Sequence, residues 1–294
     1  MSSLSENIPP FEIWIPPAHD CGVLNLNKPA GMTSRQVVDR VQILAGDLKV
    51  GHAGTLDPLA TGVLLVAVGA GTRLISYLQD KPKHYRGEFL LGRESETEDV
   101  EGEVHELPNP PIPSREELEQ AASQFVGKIQ QVPPRFSAKK IGGRRAYKLA
   151  RRGKEFELEP RTVVIHALQI VEYEYPKLVL DIHCGSGTYV RSLGRDLARQ
   201  VGTAAVMSNL ERTAIGSFDI TRGVSPDDLT LENWRDGHRG LSRGPSIISP
   251  VRWRMKPSGT SPTAATSRLH CAICPTKRKS PASITAANSA GLPA

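Results

Sequence analysis

The sequence predicts a mixed α+β fold for the part of the chain before residue 235. Residues 63–68 are all apolar, as expected of a strand buried on both faces. Ser114 and Glu117 form a capping box ahead of an apolar stripe with helical spacing. Predicted strands and helices interleave too irregularly for a doubly wound parallel sheet, and no internal repeat is visible. These observations together favour one sheet with helices packed against it.

The overall composition is that of a soluble globular protein. The 294 residues are 39% hydrophobic and 23% charged, which excludes collagen-like, coiled-coil and wholly disordered chains. No apolar run approaches the about 18 residues that a membrane helix needs. The N-terminus lacks the basic and then apolar pattern of a secretory signal. The four cysteines are too few and too scattered for a disulfide framework, so we expect a cytoplasmic protein.

The N-terminal elements follow from turn residues and spacing. Residues 1–20 are rich in proline and predict an irregular arm. Residues 23–26 predict a short strand. Thr33 or Ser34 is suited to cap a helix, and Gly46 is suited to end it. Residues 50–62, rich in Gly, Thr and Pro, predict the loop that leads into the buried strand.

The middle of the chain alternates helices and strands. Residues 72–79 predict a short helix, and residues 85–91 predict a strand that runs into an acidic loop over residues 94–106. The helix that starts at Ser114 carries an inward stripe that reaches Phe125. The basic residues from 144 to 152 have the spacing of a further helix.

The last predicted elements precede a tail of different composition. Residues 162–171, 178–184 and 204–210 predict strands, and residues 190–201 predict a helix that Gly202 ends. Ser225 and the proline after it are suited to start another helix. From residue 235 to residue 294 the acids almost vanish and no hydrophobic period survives, which is typical of a disordered tail. A shifted reading frame would produce the same composition.

The charge of the chain is strongly segregated. The formal net charge is +6, but nine of the 37 Lys and Arg residues and none of the 31 acids lie after residue 236. Before that point, residues 94–106 hold seven acids and no Lys or Arg, whereas residues 139–154 hold eight bases and no acid. One dense basic segment on a mildly acidic body indicates a local contact with a polyanion.

Three side chains are candidates for chemistry, and each also has an ordinary structural interpretation. Asp57 precedes a proline, as turn and cap residues often do, but it also follows His52 in a glycine-rich loop at the start of the buried strand. Tyr85 is either a half-buried strand aromatic or a platform on which a base stacks. Arg191 lies at a predicted helix start, where its charge opposes the helix dipole. A buried carboxylate partner would justify that position, and an exposed guanidinium is the alternative.

Two further motifs carry little weight. Residues 69–73 (GAGTR) lack the Lys-Ser/Thr ending and the spacing of a P-loop, so a tight turn is the better interpretation. Cys271 and Cys274 form one CxxC in the tail with only His270 nearby, which is too few ligands for zinc. We therefore predict no metal site.

Five blocks in order make the chain resemble the TruB-type tRNA pseudouridine synthases. The resemblance runs from about residue 22 to residue 213. It is carried by LNKPAGMTS at 26–34, GHAGTLDPLATGVLLVAVG at 51–69, QVPPRFSAKK with GRRAY at 131–147, GTYVRSL at 187–193 and LERT at 210–213. It implies a mainly antiparallel central sheet flanked by helices, within a catalytic domain over residues 21–234. The tail contains no recognisable C-terminal RNA-binding module.

The resemblance also implies a reaction. A uridine in the T-arm loop of tRNA, at position 55, is detached at N1, turned and rejoined through C5, with no cofactor, no metal and no protein partner. The chain would then act as a cytoplasmic monomer. Two rivals stay open: a non-catalytic folding factor that binds tRNA, and the same chemistry on another RNA.

The resemblance assigns roles where residues match. Asp57 is the catalytic aspartate, and Arg191 is the arginine that pairs with it. The substrate-binding set comprises His52, Tyr85, Tyr189, Arg191 and Leu210, and Lys28 has a supporting role. The basic segment would hold the RNA backbone through Lys139, Lys140, Arg144, Arg145, Lys148, Arg151 and Arg152.

Overall fold

The computed structural model describes residues 22–137, 140–141, 144–150, 156–231 and 233–236. The predicted arm and the predicted tail beyond residue 236 lie outside these residues. The strands are β1 (Gly22–Lys28), β2 (Val50–His52), β3 (Thr61–Val68), β4 (Lys83–Leu91), β5 (Arg93–Glu94), β6 (His105–Glu106), β7 (Gly127–Gln131), β8 (Lys140–Ile141), β9 (Arg144–Arg145), β10 (Arg161–Glu174), β11 (Lys177–Cys184), β12 (Ala205–Ile215) and β13 (Phe218–Asp219). The helices are α1 (Ser34–Ala45), α2 (Ile75–Gln79), α3 (Arg115–Ser123), α4 (Ala146–Ala150), α5 (Val190–Gln200) and α6 (Asn233–Asp236).

One large sheet organises the described residues, in the order β1-β3-β12-β4-β11-β10-β7. Two short strands extend it, since β2 pairs with β3 and β13 pairs with β12. Neighbouring strands run antiparallel, except that β3 and β12 run parallel. The predicted mixed, mainly antiparallel sheet is confirmed.

The parallel contact between β3 and β12 is short and close. Its register pairs Thr61 with Glu211 and Gly62 with Arg212. Gly62 has a φ of 97°, and a Cβ placed there would lie 2.3 Å from the Arg212 carbonyl oxygen. Only glycine fits this backbone conformation at this distance. The loop before β3 therefore depends on this glycine for its position beside β12.

Helices cover both faces of the sheet. On one face α3 and α5 bury Leu118 and Leu193 against Phe89 of β4. Gly194 allows the close approach of α5, because a Cβ there would lie 2.0 Å from the Phe89 ring. On the other face α1 buries Val37 among side chains from β1 and β3. Burial of these apolar side chains is the main stabilising contribution to the fold.

The helix boundaries follow the local signals in the sequence. Thr33 caps α1 through a reciprocal capping box with Gln36, and Gly46 follows its last residue. Ser114 and Glu117 form the predicted capping box of α3. These predictions are confirmed because a cap depends on residues only three positions apart.

The structure corrects the predictions at several weaker signals. The predicted loop over residues 50–62 begins with β2, which pairs with β3. The helix predicted over residues 144–152 begins as strand β9, and only Ala146–Ala150 is helical. The helix predicted from Ser225 is a single 3₁₀ turn, Pro226–Asp228. Pro and two acids suit a first turn, but no apolar stripe follows to extend it.

Within the described residues, no helix combines the length and the apolar character needed to cross a membrane.

Candidate active site

Asp57 lies in the loop between β2 and β3, and the start of α1 holds that loop. The Ser34 hydroxyl accepts a hydrogen bond from the Leu56 N–H at 2.8 Å and contacts the Leu56 carbonyl oxygen at 3.0 Å. Ser34 and Leu56 are both buried. The residue before Asp57 is therefore fixed in a dry environment, which orients the carboxylate that follows.

Lys28, the last residue of β1, supports the loop that carries Asp57. Its side chain is fully buried, and its Nζ donates to the carbonyl oxygens of Pro29 (2.9 Å), Met32 (2.6 Å) and Pro58 (3.1 Å). Burial lowers the pKa of Lys28 to about 8, although the negative charge of Asp57 acts in the opposite direction. The supporting role that the resemblance implies for Lys28 fits this position.

The Asp57 carboxylate is paired with Arg191. The Arg191 Nε lies 3.1 Å from the Asp57 Oδ2; the arginine side chain is 7% exposed and the aspartate side chain 35%. Burial raises the pKa of Asp57, the Arg191 guanidinium opposes that rise, and the charge of Asp99 adds to it. The result is a partly accessible carboxylate of raised basicity.

Arg191 is held by three further acceptors. Its Nη1 donates to the Thr97 carbonyl oxygen at 2.7 Å and to the Asp99 Oδ2 at 3.0 Å. Its Nη2 donates to the Phe136 carbonyl oxygen at 3.0 Å. Asp99 is itself buried and accepts a 2.6 Å hydrogen bond from the Thr97 hydroxyl. The buried carboxylate required by an arginine at a helix start is therefore present, and it comes from the acidic loop.

Gln131 of β7 fixes the start of α5. Its amide group donates to the Tyr189 carbonyl oxygen at 3.0 Å and accepts from the Tyr189 N–H at 2.9 Å. Gln131 is fully buried. Tyr189 is the N-cap residue and makes no side-chain cap. Its carbonyl already accepts from the Leu193 N–H at 3.1 Å, so the Gln131 amide adds a second donor there and satisfies the Tyr189 N–H, which has no partner within the helix. Arg191 follows two residues later, so the position of its backbone depends on this contact.

Arg212 of β12 connects the loop to Tyr85. Its side chain is buried, its Nε donates to the Val63 carbonyl oxygen at 2.7 Å, and its Nη2 donates to the Gly54 carbonyl oxygen at 3.2 Å. Its guanidinium carbon lies 5.9 Å from the centroid of the Tyr85 ring. One side chain thus fixes the loop that carries Asp57, β3 and the Tyr85 ring relative to one another.

Asp57, Tyr85 and Arg191 lie at a cavity of about 140 Å³. The cavity is lined by Thr55, Leu56, Asp57, Tyr85, Ser137, Thr188, Tyr189, Val190, Arg191 and Leu210. Its volume is well below the about 300–1,000 Å³ of sites for drug-sized ligands, which suits a single small ring. Tyr85 and Leu210 are both buried and supply apolar walls. The arrangement places a carboxylate–guanidinium pair beside a slot with one aromatic side.

The structure brings together most of the predicted site residues. Tyr85, Tyr189, Arg191 and Leu210 line the cavity with Asp57. His52 does not line it; that residue ends β2, opposite Val66 of β3. The sequence analysis assigned no role to Asp99, Gln131, Ser137 or Arg212. Polar residues of these types occur throughout the chain. What distinguishes these four is that segments distant in sequence bury them, and the sequence alone does not show this.

The predicted RNA-backbone residues are only partly within the described residues. Four of them lie in short elements of the described residues: Lys140 in β8, Arg144 and Arg145 in β9, and Lys148 in α4. The structure describes the backbone of these four residues and not their side chains. Lys139, Arg151, Arg152 and the CxxC of the tail lie outside the described residues. In the part of the chain that the structure describes, no group of three or more His, Cys, Asp or Glu side chains could hold a metal ion.

Comparison with known proteins gives a consistent result. A family model described as TruB family pseudouridylate synthase (N terminal domain) matches residues 42–190. The chain is 44% identical over 217 residues to the tRNA pseudouridine synthase B of Caldanaerobacter subterraneus subsp. tengcongensis, with 74% of each chain covered. It is 40% identical over 236 residues to the protein of the same name from Microcystis aeruginosa, covering 79% of this chain and 78% of that one.

Solved structures show the same architecture. A chain in a Cbf5–Nop10–Gar1 complex superposes with a TM-score of 0.58 at 27% identity, covering 78% of this chain and 60% of that one. A chain in an H/ACA RNP bound to a substrate RNA containing 2′-deoxyuridine superposes with a TM-score of 0.55 at 25% identity, covering 78% of this chain and 59% of that one. This chain therefore spans less than two thirds of the length of each of those chains.

Proposed function

The chain belongs to the TruB family of pseudouridylate synthases, and from that premise we propose that it converts uridine to pseudouridine at position 55, in the T-arm loop of tRNA. The observation that carries the proposal is the Asp57–Arg191 pair, 3.1 Å apart, at a cavity walled by Tyr85 and Leu210. The reaction needs a carboxylate at the reacting atoms and a slot for a planar base. The cavity supplies both.

The substrate and the product are isomers, so atoms and electrons balance without an added reagent. The bond between N1 and the ribose C1′ breaks, a bond between C5 and C1′ forms, C5 loses a proton and N1 gains one. Asp57 is the group placed to begin this sequence. A carboxylate there can attack C1′, attack the base or remove a ribose proton, and the three routes share one requirement: that Asp57 is ionised.

Arg191 keeps Asp57 competent for this work. Burial alone would favour the neutral acid, and the adjacent guanidinium favours the carboxylate. Because Arg191 is also held by Asp99 and by two backbone carbonyls, its position does not depend on the substrate. The pair is thus organised before RNA binds, which is the condition under which electrostatic stabilisation is most effective.

The uridine must leave its stack to reach Asp57. Extrusion of a base costs a few kcal/mol and costs least in a strained loop. Tyr85 and Leu210 would flank the flipped uracil, and Tyr189 would contact the nucleotide at the entrance to the cavity. Basic residues from Lys139 to Arg152 would hold the RNA backbone, with an affinity that falls as salt rises.

The substrate assignment has its own support. The curated relatives at 40–44% identity are named tRNA pseudouridine synthase B. We infer that the enzyme acts on tRNA as a cytoplasmic monomer, without a cofactor or protein partner. One of the similar solved structures is a Cbf5–Nop10–Gar1 complex and the other is an H/ACA RNP bound to a substrate RNA, which makes the same chemistry on another RNA the principal alternative. Comparing purified tRNA with ribosomal RNA as substrate separates the two.

The catalytic assignment is tested with Asp57→Asn. This change keeps the size of the side chain and removes the charge. A tRNA transcript is incubated with each protein, and pseudouridine is mapped chemically. We expect wild type to modify position 55 and the variant to form no measurable product while still binding the transcript. Equal rates for the two proteins would disprove the role of Asp57, and would favour the rival in which the protein only binds and folds tRNA.

A further inference from the structure

Ser137 is a cavity residue whose hydroxyl lacks a partner. The residue is 4% exposed, and its Oγ has no hydrogen-bond partner among the described residues. Ser137 nevertheless lines the cavity with Asp57, Tyr85 and Leu210. A buried hydroxyl that bonds to neither protein nor solvent is unfavourable, and each such group in a folded protein calls for an explanation.

The surroundings of Ser137 explain why it stays in this position. The preceding carbonyl, that of Phe136, accepts a hydrogen bond from Arg191 at 3.0 Å. The backbone that carries Ser137 is thus tied to the side chain that pairs with Asp57. No hydrogen bond within the described residues fixes the direction of the Ser137 O–H. It is placed to meet a ligand in the cavity.

We propose that the Ser137 hydroxyl binds the Watson–Crick edge of the flipped uracil. This inference rests on the proposed function and extends it, since it names the group that holds the base itself. The edge consists of O2, N3–H and O4, which lose their other partners when the base is extruded. A serine hydroxyl can donate to either carbonyl or accept from N3–H.

The geometry of the reaction makes this edge a suitable one to hold. A half-turn of uracil about the line from N3 to C6 exchanges N1 with C5 and O2 with O4. The order acceptor, donor, acceptor along the edge is therefore the same before and after the turn. A single hydroxyl at this edge bonds to the base in both orientations, and so retains the detached uracil while the new bond forms.

The test compares Ser137→Ala with a matched control, Thr203→Val. Thr203 also has a buried hydroxyl without a hydrogen-bond partner among the described residues, but it does not line the cavity. Single-turnover rates are measured on a T-arm stem-loop. We expect Ser137→Ala to lower kcat/KM about fivefold to tenfold, the value of one lost hydrogen bond, with no loss of thermal stability. Thr203→Val should react at the wild-type rate, and Ser137→Thr should recover most of the activity.

Modified target nucleotides identify the atom that is bound. The same proteins are assayed on stem-loops with 2-thiouridine, 4-thiouridine, 3-methyluridine or 2′-deoxyuridine at the target. We expect the penalty of Ser137→Ala to disappear with one of the three base analogues, because that analogue already lacks the partner atom. A penalty of equal size on all of them, or one that disappears only with 2′-deoxyuridine, would overturn the inference.

Failure of this inference is distinguishable from failure of the proposed function. If Ser137→Ala reacts like wild type while Asp57→Asn is inactive, the function stands and the Ser137 assignment is wrong. If wild type forms no pseudouridine in tRNA or in any other RNA offered, both are wrong.

Discussion

The side-chain amide of Gln131 spans the backbone of Tyr189, donating to its carbonyl and accepting from its N–H, at 3.0 and 2.9 Å. A single buried side chain on the sheet thereby positions the N-cap residue of α5, the helix that carries Arg191. The geometry of the Asp57–Arg191 pair consequently depends on a residue that contacts neither of them.

Gln131→Met is expected to lower both stability and activity. The change leaves the Tyr189 N–H without its partner, whereas the Tyr189 carbonyl still accepts from the Leu193 N–H at 3.1 Å. One unsatisfied group of this kind should reduce the free energy of unfolding by about 1–3 kcal/mol. The activity of the remaining folded protein should also fall, because the start of α5, and with it Arg191, is no longer held by Gln131. Chemical denaturation and pseudouridine formation measure the two effects. Gln130→Met is the control, since Gln130 is exposed on the same strand; equal behaviour of the two variants would contradict the role of Gln131.

Asp99→Asn is expected to impair chemistry more than binding. The variant keeps the shape of the side chain but removes the buried charge that holds Arg191. We expect kcat to fall about tenfold or more, as for other groups that orient a catalytic residue, with KM nearly unchanged. Glu96→Gln removes an exposed acid from the same loop and should leave both constants unaltered. A change in KM alone would argue against this role for Asp99.

The raised pKa of Asp57 predicts the acid side of the pH profile. The reaction requires the carboxylate, so the rate should fall as pH drops through the pKa of Asp57. Because burial raises that pKa, the midpoint should lie above about 4, the value of an ordinary aspartate. Asp99→Asn should move the midpoint to lower pH, since it removes a repelling charge. Single-turnover rates check this, with circular dichroism to show that the protein stays folded; a rate that is flat down to pH 4 would refute it.

The predicted RNA-binding segment makes a salt-dependent prediction. Replacing Lys140, Arg144, Arg145 and Lys148 by Gln should weaken the binding of tRNA to the same extent whatever the tRNA sequence. It should also reduce the slope of log affinity against log salt by up to about 3.6, at about 0.7–0.9 for each of the four phosphate contacts. A control variant loses four exposed bases elsewhere, at Lys49, Lys81, Lys128 and Arg199. The same loss of slope in both variants would mean that the segment has no special role.

The sequence predicted most of the fold wherever the signal was local. The caps of α1 and α3 and the apolar strand β3 were found because each depends on residues close together in the chain. The helix predicted from Ser225 was wrong, because a good first turn does not ensure a helix when no apolar face follows. The order of strands in the sheet was beyond reach, since pairing joins segments far apart.

The site shows the same division. Asp57, Tyr85, Arg191 and Leu210 were predicted through family resemblance, and the structure places all four at one cavity. Asp99 was not, because its segment holds seven acids that look alike, and only contacts 92 residues away single out the one that is buried against Arg191. The electrostatic argument that an arginine at a helix start needs a buried acid was sound, yet the sequence could not say which acid.

The glycine contact between β3 and β12 has a consequence for how this enzyme can fail. Asp57 precedes β3, whereas Tyr85, Arg191 and Leu210 all belong to the far side of that junction. A side chain larger than hydrogen at Gly62 would push β3 away from β12. The strands on each side could stay folded while the Asp57 carboxylate moved away from the Arg191 guanidinium. We expect such a variant to be a folded protein without activity, although Gly62 does not itself line the cavity.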